Sequence, residues 1–421
     1  MKHFYKLYIN GLDITQKFGN RLLSITAIDS IGMENDNADI SIDNGEYYSV
    51  DNVTKQGIVY PSPGDLIEVE LGYLKASDLV NFDATDATAN APLSRIIGEY
   101  ILDKIAVSYP PHVLKITAKK LPYDSSTKNT FSRVWEKEGG NVSLYEIMTD
   151  VIKSMGRTPK IAEELKNIVV DYAIQQNQSD MTFLAMLASS YGYTCKIEAD
   201  SDLKEIIYVM LPATTYSFTN KVDLKQDVFS LKVRMPSVIS YNYEENPKAK
   251  FTGIVAKYET TDTKTKARIS SNVKIGEVGK DKIFYTLPSS YDSEGKARSA
   301  AESFYRKLLR ETKLLNISIY GDPRFKAERI LTLDNFPTQI PKEWIIKKAT
   351  HRYSGQGYYT DIEAEYSNDK EIEELLKKER EKIKEKKELT KKNKKNRAKN
   401  GINLLTSEQK AVNNSFSITN K

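Results

Sequence analysis

Enzyme chemistry needs particular side chains at particular spacings, and this chain holds few of them. It has three histidines, His3, His112 and His351, far apart and with no HExxH or paired spacing. Metal-assisted hydrolysis and Ser-His-Asp chemistry both need an imidazole beside specific partners, so both begin poorly supplied. The single cysteine, Cys195, excludes an intramolecular disulfide framework and a thiolate zinc knuckle. The chain contains no GxxxxGKS/T, no GxSxG and no strand-linked GxGxxG, so no nucleotide or other cofactor is expected. A hydrolase working with two carboxylates would need both acids facing one cleft. Glu163 and Glu164 are candidates, but they read better as exposed helix or loop residues. No catalytic, cofactor-binding or metal residue is assigned, and no small-molecule substrate is expected.

The remaining conspicuous residues have plain structural readings. Met148, Met155, Met181 and Met186 read as core filler. Cys195 reads as a small buried strand residue. Trp344 reads as core and His351 as a strand or turn residue, on opposite faces under strict alternation, because their offset is odd. The 26 tyrosines suit both half-buried strands and interfaces.

The 421 residues suggest two to four domains, and 40% hydrophobic with 28% charged residues fits a soluble globular protein. No apolar stretch is long enough for a membrane span, and the start has no apolar segment of a secretory signal. The net charge of +5 is unevenly placed. Residues 369–400 hold 14 Lys/Arg against 8 Asp/Glu, whereas residues 1–368 are close to neutral, at −2. The body is therefore not a basic nucleic-acid binder. Within the tail, Glu374–Lys378 pairs at helical spacing, so this stretch reads as a solvated helix, or as one that folds on a partner; the expectation for residues 370–390 is contact with a neighbouring tail component. Lys391 to Lys399 is a basic run without aromatics. It reads as a disordered, solubilising extension, or as a docking arm for an acidic partner or nucleic acid.

Elements that would position any site follow from periodicity. Phe4–Ile9, Leu22–Ile28, Ala38–Ile42, Leu66–Leu71 (ended by Gly72), Tyr100–Val107 and Val113–Ala118 read as short strands, with turns at Asn10-Gly11 and Pro110-Pro111. Residues 75–95 read as an exposed insertion. At residue 143 the period changes. Ser143 and Glu146 have capping-box spacing, and Leu144, Ile147, Met148, Val151 and Ile152 share a helical face. A strand is expected at Ile168–Ile174 and a second helix from an N-cap at Ser179 to Gly192. Strands Tyr193–Ile197 and Ile206–Leu211 follow. Beyond about 225, β-character returns, with one helix at about Ser293–Arg310 and a closing hairpin, Trp344–Tyr353 with Tyr358–Tyr366.

Several phrases in this order resemble the phage late control protein D family, baseplate hub proteins of contractile tails related to the hub half of VgrG proteins. Leu7-Tyr8-Ile9-Asn10-Gly11-Leu12-Asp13-Ile14-Thr15 is similar to the opening strand and turn. Gly64-Asp65 through Val69-Glu70-Leu71-Gly72-Tyr73, and Ile97-Gly98-Glu99-Tyr100-Ile101-Leu102-Asp103, resemble the next strands. Ser179-Asp180-Met181-Thr182-Phe183-Leu184, with Leu187-Ala188 and Tyr191-Gly192-Tyr193, is the strongest likeness, although Gln178 stands where the pattern has Glu. Gly321-Asp322-Pro323 and the run from Trp344 through His351, Ser354, Gly357, Tyr358 and Thr360 resemble the C-terminal hairpin region.

The resemblance spans about residues 4–366 and implies an α+β, mainly β fold. Two tail-tube-like β-barrel domains would hold an inserted α/β domain, followed by a charged helical or disordered C-terminal tail. The expected boundaries are 1–130 for the first barrel (completed by strands near 205–235), 135–205 for the insertion, 236–368 for the second barrel with one helix, and 369–421 for the tail. The implied function is a structural baseplate hub: a homotrimer adapting the six-fold tail tube to the three-fold central spike. The implied partners are the spike protein, the tail tube or its initiator, and tape measure and baseplate wedge proteins. The implied place is the baseplate of a virion or tail particle assembled in the bacterial host cytoplasm. Because the chain ends in a Lys/Glu tail, the spike is expected to be a separate polypeptide. The alternatives are a cell-wall-degrading tail-tip enzyme and a nucleic-acid-binding protein acting through the basic tail.

Overall fold

Period-two alternation builds most of this protein. In Asn37–Asp43, Ala38, Ile40 and Ile42 are buried while the residues between them stay half-exposed. The computed structural model describes residues 3–32, 36–45, 60–78, 92–120, 129–136, 142–170, 172–199, 205–210, 230–245, 251–261, 268–276, 283–291, 293–310 and 312–366. The tail from 369 lies outside the described residues.

The first part contributes β1 (His3–Ile9), β2 (Leu12–Asp13), β3 (Leu22–Ser30), β4 (Asn37–Asp43), β5 (Leu66–Tyr73), β6 (Leu93–Ser108) and β7 (Val113–Lys119). A first insertion follows: β8 (Phe131–Glu136), β9 (Val142–Ser143), α1 (Leu144–Ser154), β10 (Thr158–Ile161), β11 (Val169–Val170), β12 (Tyr172–Gln178), α2 (Asp180–Ser190), β13 (Thr194–Ala199) and β14 (Glu205–Met210). The chain then forms β15 (Ser230–Arg234) and β16 (Val238–Glu245). A second insertion holds β17 (Gly253–Thr261), β18 (Arg268–Gly276), β19 (Phe284–Tyr291) and α3 (Glu294–Arg310). It ends with β20 (Lys313–Tyr320), β21 (Ile330–Asp334), β22 (Glu343–Ser354) and β23 (Gly357–Tyr366).

One 13-stranded sheet joins the two halves. Its order is β16-β20-β23-β22-β3-β4-β7-β6-β5-β1-β2, with β21 on β22 and β15 on β21. Every ladder from β16 to β1 is antiparallel. The halves meet where Lys348–Ser354 of β22 pair with Ser24–Ser30 of β3. One core lies under β1 and β3–β7, around Ile25, Ile40, Leu71 and Leu114. Another lies under β15 and β20–β23, around Leu315, Phe325, Leu331 and Trp344. β6 is 16 residues long because it serves two neighbours: Leu93–Ile101 pair with β5, and Ile101–Ser108 pair with β7 on the opposite edge.

The mainly β class expected from the residues is what the chain adopts, but several expectations need correction. The strands near 205–235 do not complete the first barrel. β14 pairs with β10 and β13 inside the first insertion, where Ile207 and Val209 join that insertion's own core. β15 runs parallel to β21 in the second half, where Val233 is buried. Gly72 does not end β5; it sits within the strand opposite Ser94, where a Cβ would lie 2.3 Å from Leu93 O. The strand expected at Ile168–Ile174 is divided between β11 and β12, which pair with different partners. Residues 253–310 are not part of the second barrel's wall. They form a separate three-stranded sheet, β18-β17-β19, on which α3 packs. Trp344 and His351 both face the core, because a register shift between Ile346 and Lys348 reverses the alternation between them.

The first insertion follows its sequence closely. Ser143 Oγ accepts from the Glu146 N–H while Glu146 accepts from the Ser143 N–H, a complete capping box. Gly156, at φ +74°, turns the chain out of α1. Ser179 caps α2 through the Thr182 N–H, and Gly192 at φ +80° follows its end.

Candidate functional site

Eight strands, β16-β20-β23-β22-β3-β4-β7-β6, make a wall that crosses both halves. One side of it is core and the other is polar. Directly paired residues carry Arg352, Thr26, Asp39, Thr117 and Lys104 across five strands of the polar side. Their charges are compensated locally. Thr117 Oγ1 donates to Asp39 at 2.6 Å, Ser318 Oγ donates to Asp361 at 2.7 Å, Arg352 reaches Asp361 at 2.7 Å, and Lys348 reaches Glu363 at 2.8 Å. A shallow concavity of about 660 Å³ on this side is lined by Ser240, Asn242, Asn316, Ser318, Asp361 and Glu363. Such a surface offers hydroxyls, amides and paired charges rather than a nucleophile beside its base.

The two halves are locked at the turn between β20 and β21. The Gly321 N–H donates to Tyr358 O at 2.8 Å, and the Tyr73 hydroxyl of β5 donates to Gly321 O at 2.8 Å. A Cβ on Gly321 would lie 2.1 Å from the Tyr358 ring, so only glycine lets the loop approach this closely. Asp322 accepts from Arg324 Nε at 3.0 Å and Nη2 at 2.8 Å, while its N–H donates to Thr360 Oγ1. His351 is fully buried beside this turn. Its Nε2 lies 2.9 Å from Phe325 O, which can only accept, so Nε2 carries the proton and Nδ1 accepts from the Tyr358 hydroxyl at 2.9 Å. Burial holds the ring's pKa down at about 4, so it is neutral at pH 7.

A second buried cluster fastens the first insertion to the wall. Lys196 of β13 reaches Asp29 of β3 at 3.1 Å and Glu328 at 3.8 Å. Lys120, after β7, reaches Asp36 at 3.2 Å and Asp29 at 3.9 Å. Asp29 also accepts from the Ala327 N–H at 2.8 Å. Burial raises Asp29, but Lys196 and Lys120 outweigh it and hold the carboxyl below its usual range. Asp36 is pushed up to about 6, by burial first and by the neighbouring Asp29 charge second. Carboxylates and ammonium groups from three parts of the chain thus compensate one another, as buried charges must.

The residues weighed for chemistry do not converge. His3 packs edge-on against Tyr353, His112 against Tyr109, and His351 sits in the joint. Glu163 is exposed in a short 3-10 turn and pairs with Lys166. Cys195 is buried, its Sγ is 3.8 Å from Leu184 O, and burial pushes the thiol up. Of the methionines read as core filler, Met148 and Met181 are buried while Met186 is half exposed. Among the described residues, no group of three His, Cys, Asp or Glu side chains is placed to hold a metal ion. The basic run Lys391–Lys399 lies outside the described residues. The sequence did not point to Asp29, Lys120, Lys196 or Glu328. Their partners are far away in the chain, and no local pattern marks them.

No protein-family model matches the chain. It is 24% identical over 387 residues to the "Probable baseplate hub protein" of Escherichia phage 186, covering 86% of this chain and 92% of that protein. It is 20% identical over 403 residues to the "Probable baseplate hub protein" of Escherichia phage P2, with the same coverage. Its fold is similar to that of a tail protein from Neisseria meningitidis MC58, with a TM-score of 0.56 at 10% identity, over 87% of this chain and 97% of that one. The resemblance to baseplate hub proteins, read first from short motifs, is borne out along most of the chain's length.

Proposed function

We propose that this chain is the structural hub of a contractile-tail baseplate, a ring of three copies between the six-fold tail tube and the three-fold central spike. The observation that carries this reading is the wall itself. Each half contributes four consecutive antiparallel strands, β16-β20-β23-β22 and β3-β4-β7-β6, joined edge to edge by the β22–β3 ladder. Three copies then present six similar segments to a six-fold neighbour and three identical chains to a three-fold one. Symmetry is adapted by having two similar halves per chain. The polar side of the wall faces the passage, where locally paired charges let an extended tape-measure or cargo molecule slide. The mechanism is mechanical, and no bond is made or broken. The working place is the tail baseplate, after assembly in the bacterial host cytoplasm. The relatives' names and the motif order support the same reading.

The test is the solution mass by light scattering after size exclusion, for the protein alone and mixed with a spike encoded beside it. A complex of three hubs with three spikes is expected. A lasting monomer that ignores the spike, or clearing of peptidoglycan in a zymogram, would overturn the structural reading.

A further inference from the structure

The first insertion is closed on itself. Its strands pair only with one another among the described residues, and its core, around Ile147, Phe183, Leu184 and Val209, is separate from the two cores under the wall. What it offers the wall is a charge. On β13, Cys195 and Ile197 face the insertion's core, so Lys196 between them points the other way. Its side chain is only 6% exposed, and it ends between Asp29 of the first half and Glu328 of the second. The insertion lies close here: a Cβ on Gly32, just after β3, would be 3.1 Å from Thr194 Oγ1. Glu328 is held in place at some cost. It adopts φ +67°, a conformation that L side chains rarely take. Its N–H donates to Ile346 O of β22, and its carboxylate accepts from the Gly32 N–H.

We propose that the first insertion is a latch on the joint between the halves: docked, its Lys196 neutralises one buried carboxylate from each half; undocked, it leaves those two charges to push the halves apart. The carboxylates come from either side of the seam. Asp29 stands opposite Ala349 in the β3–β22 ladder and accepts from the N–H of Ala327, the residue before Glu328. The neighbouring charges do not replace Lys196. Lys120 reaches Asp29 at 3.9 Å but lies closer to Asp36, at 3.2 Å, and Asp36 is a third buried carboxylate. Lys326 also favours the Asp29 carboxylate through space. With Lys196 the three carboxylates face three ammonium groups; without it they face two. Like charges repel far more strongly in a water-poor interior than at the surface. Removing one member of a buried ionic set leaves its partners uncompensated. Coupling of this kind is reciprocal. A neighbour that draws the insertion off the wall loosens the joint, and one that strains the joint weakens the insertion's hold. The latch is independent of the hub reading, and its failure would leave that reading standing.

The test is hydrogen–deuterium exchange, read by mass spectrometry on the full-length chain. Peptides of the β3–β22 ladder are compared with peptides of α1 and α2, the insertion's own control. Lys196→Met keeps the apolar stem and removes the charge. In that variant the ladder peptides are expected to exchange at least about tenfold faster, while α1 and α2 stay protected. Glu328→Gln alone should leave the ladder protected. Combined with Lys196→Met, it should return the ladder to the wild-type rate, because the like-charge pair is gone. If Lys196 served only to pack, no change at Glu328 would rescue its loss. A ladder that stays protected in Lys196→Met, or a double variant as loose as Lys196→Met, overturns the latch. Should Lys196→Met not fold, the double variant decides: folding with a protected ladder supports the latch, and failure to fold overturns it.

Discussion

His351 and Asp36 are both buried in the region where the halves meet, and their protonation pulls stability in opposite directions. His351 is lowered from 6.5 to about 4, so unfolding releases a ring that takes up a proton more readily. Its contribution is full above about pH 6.5 and is lost as pH falls toward 4. Asp36 is raised from 3.8 to about 6, so the folded state holds its proton more tightly. Its contribution is present at low pH and is lost as pH rises toward 6. Each shift corresponds to about 3 kcal/mol at most. The two slopes largely cancel between pH 4 and 6. Asp36→Asn removes one of them, so across that window the variant's melting temperature should rise more steeply with pH than the wild type's. Thermal melts at half-unit pH intervals check this. Gly321→Ala tests the joint by shape. With a Cβ 2.1 Å from the Tyr358 ring, the turn must move, and denaturant unfolding should show a loss of about 1–3 kcal/mol. At this scale the sequence was informative only where a family phrase held the residue. Gly321, His351, Tyr358 and Thr360 stood in such phrases without a visible reason, and the joint supplies it. Lys196 with Asp29 stood in none, since 167 residues separate them.

Elements were more legible than residues, and the exceptions have physical causes. α1 and α2 were readable because caps and helical faces are local. Ser143→Ala should therefore cost about 1 kcal/mol in a urea titration. Most strands of the first half were readable from alternation; the exceptions include β5, where Gly72 imitates a terminator, and β6, which begins at Leu93 inside the stretch read as an exposed insertion. Partners of strands were not readable, because pairing depends on the other strand. That is why β14 and β15 were expected in the wrong barrel. The second insertion shows the same limit. The residues marked a strand where β17 lies, but neither β18 nor the departure of both from the main sheet. Lys313 and Glu245 face each other across the β16–β20 ladder, so the chain could turn there directly. Replacing residues 246–312 with a tight turn should leave a cooperatively folding body with unchanged sheet pairing. Its melting temperature should fall by no more than about 5 °C, with α2 losing its packing against α3. Circular dichroism and a thermal scan decide it.

For the molecule as a whole, topology carries the function, and composition said little of it. A neutral body, one cysteine and three scattered histidines pointed away from chemistry without pointing toward a ring. The ladder between β3 and β22 makes two halves into one wall, and it pairs residues 24–30 with residues 348–354. That pairing has a consequence in time. A ribosome delivers β3 long before β22, so that edge of β3 must wait unpaired while more than three hundred residues are synthesised. The half-made chain can bury its first core but cannot present a wall to a neighbour. A chain truncated before β22 therefore cannot form the ladder that joins the two halves.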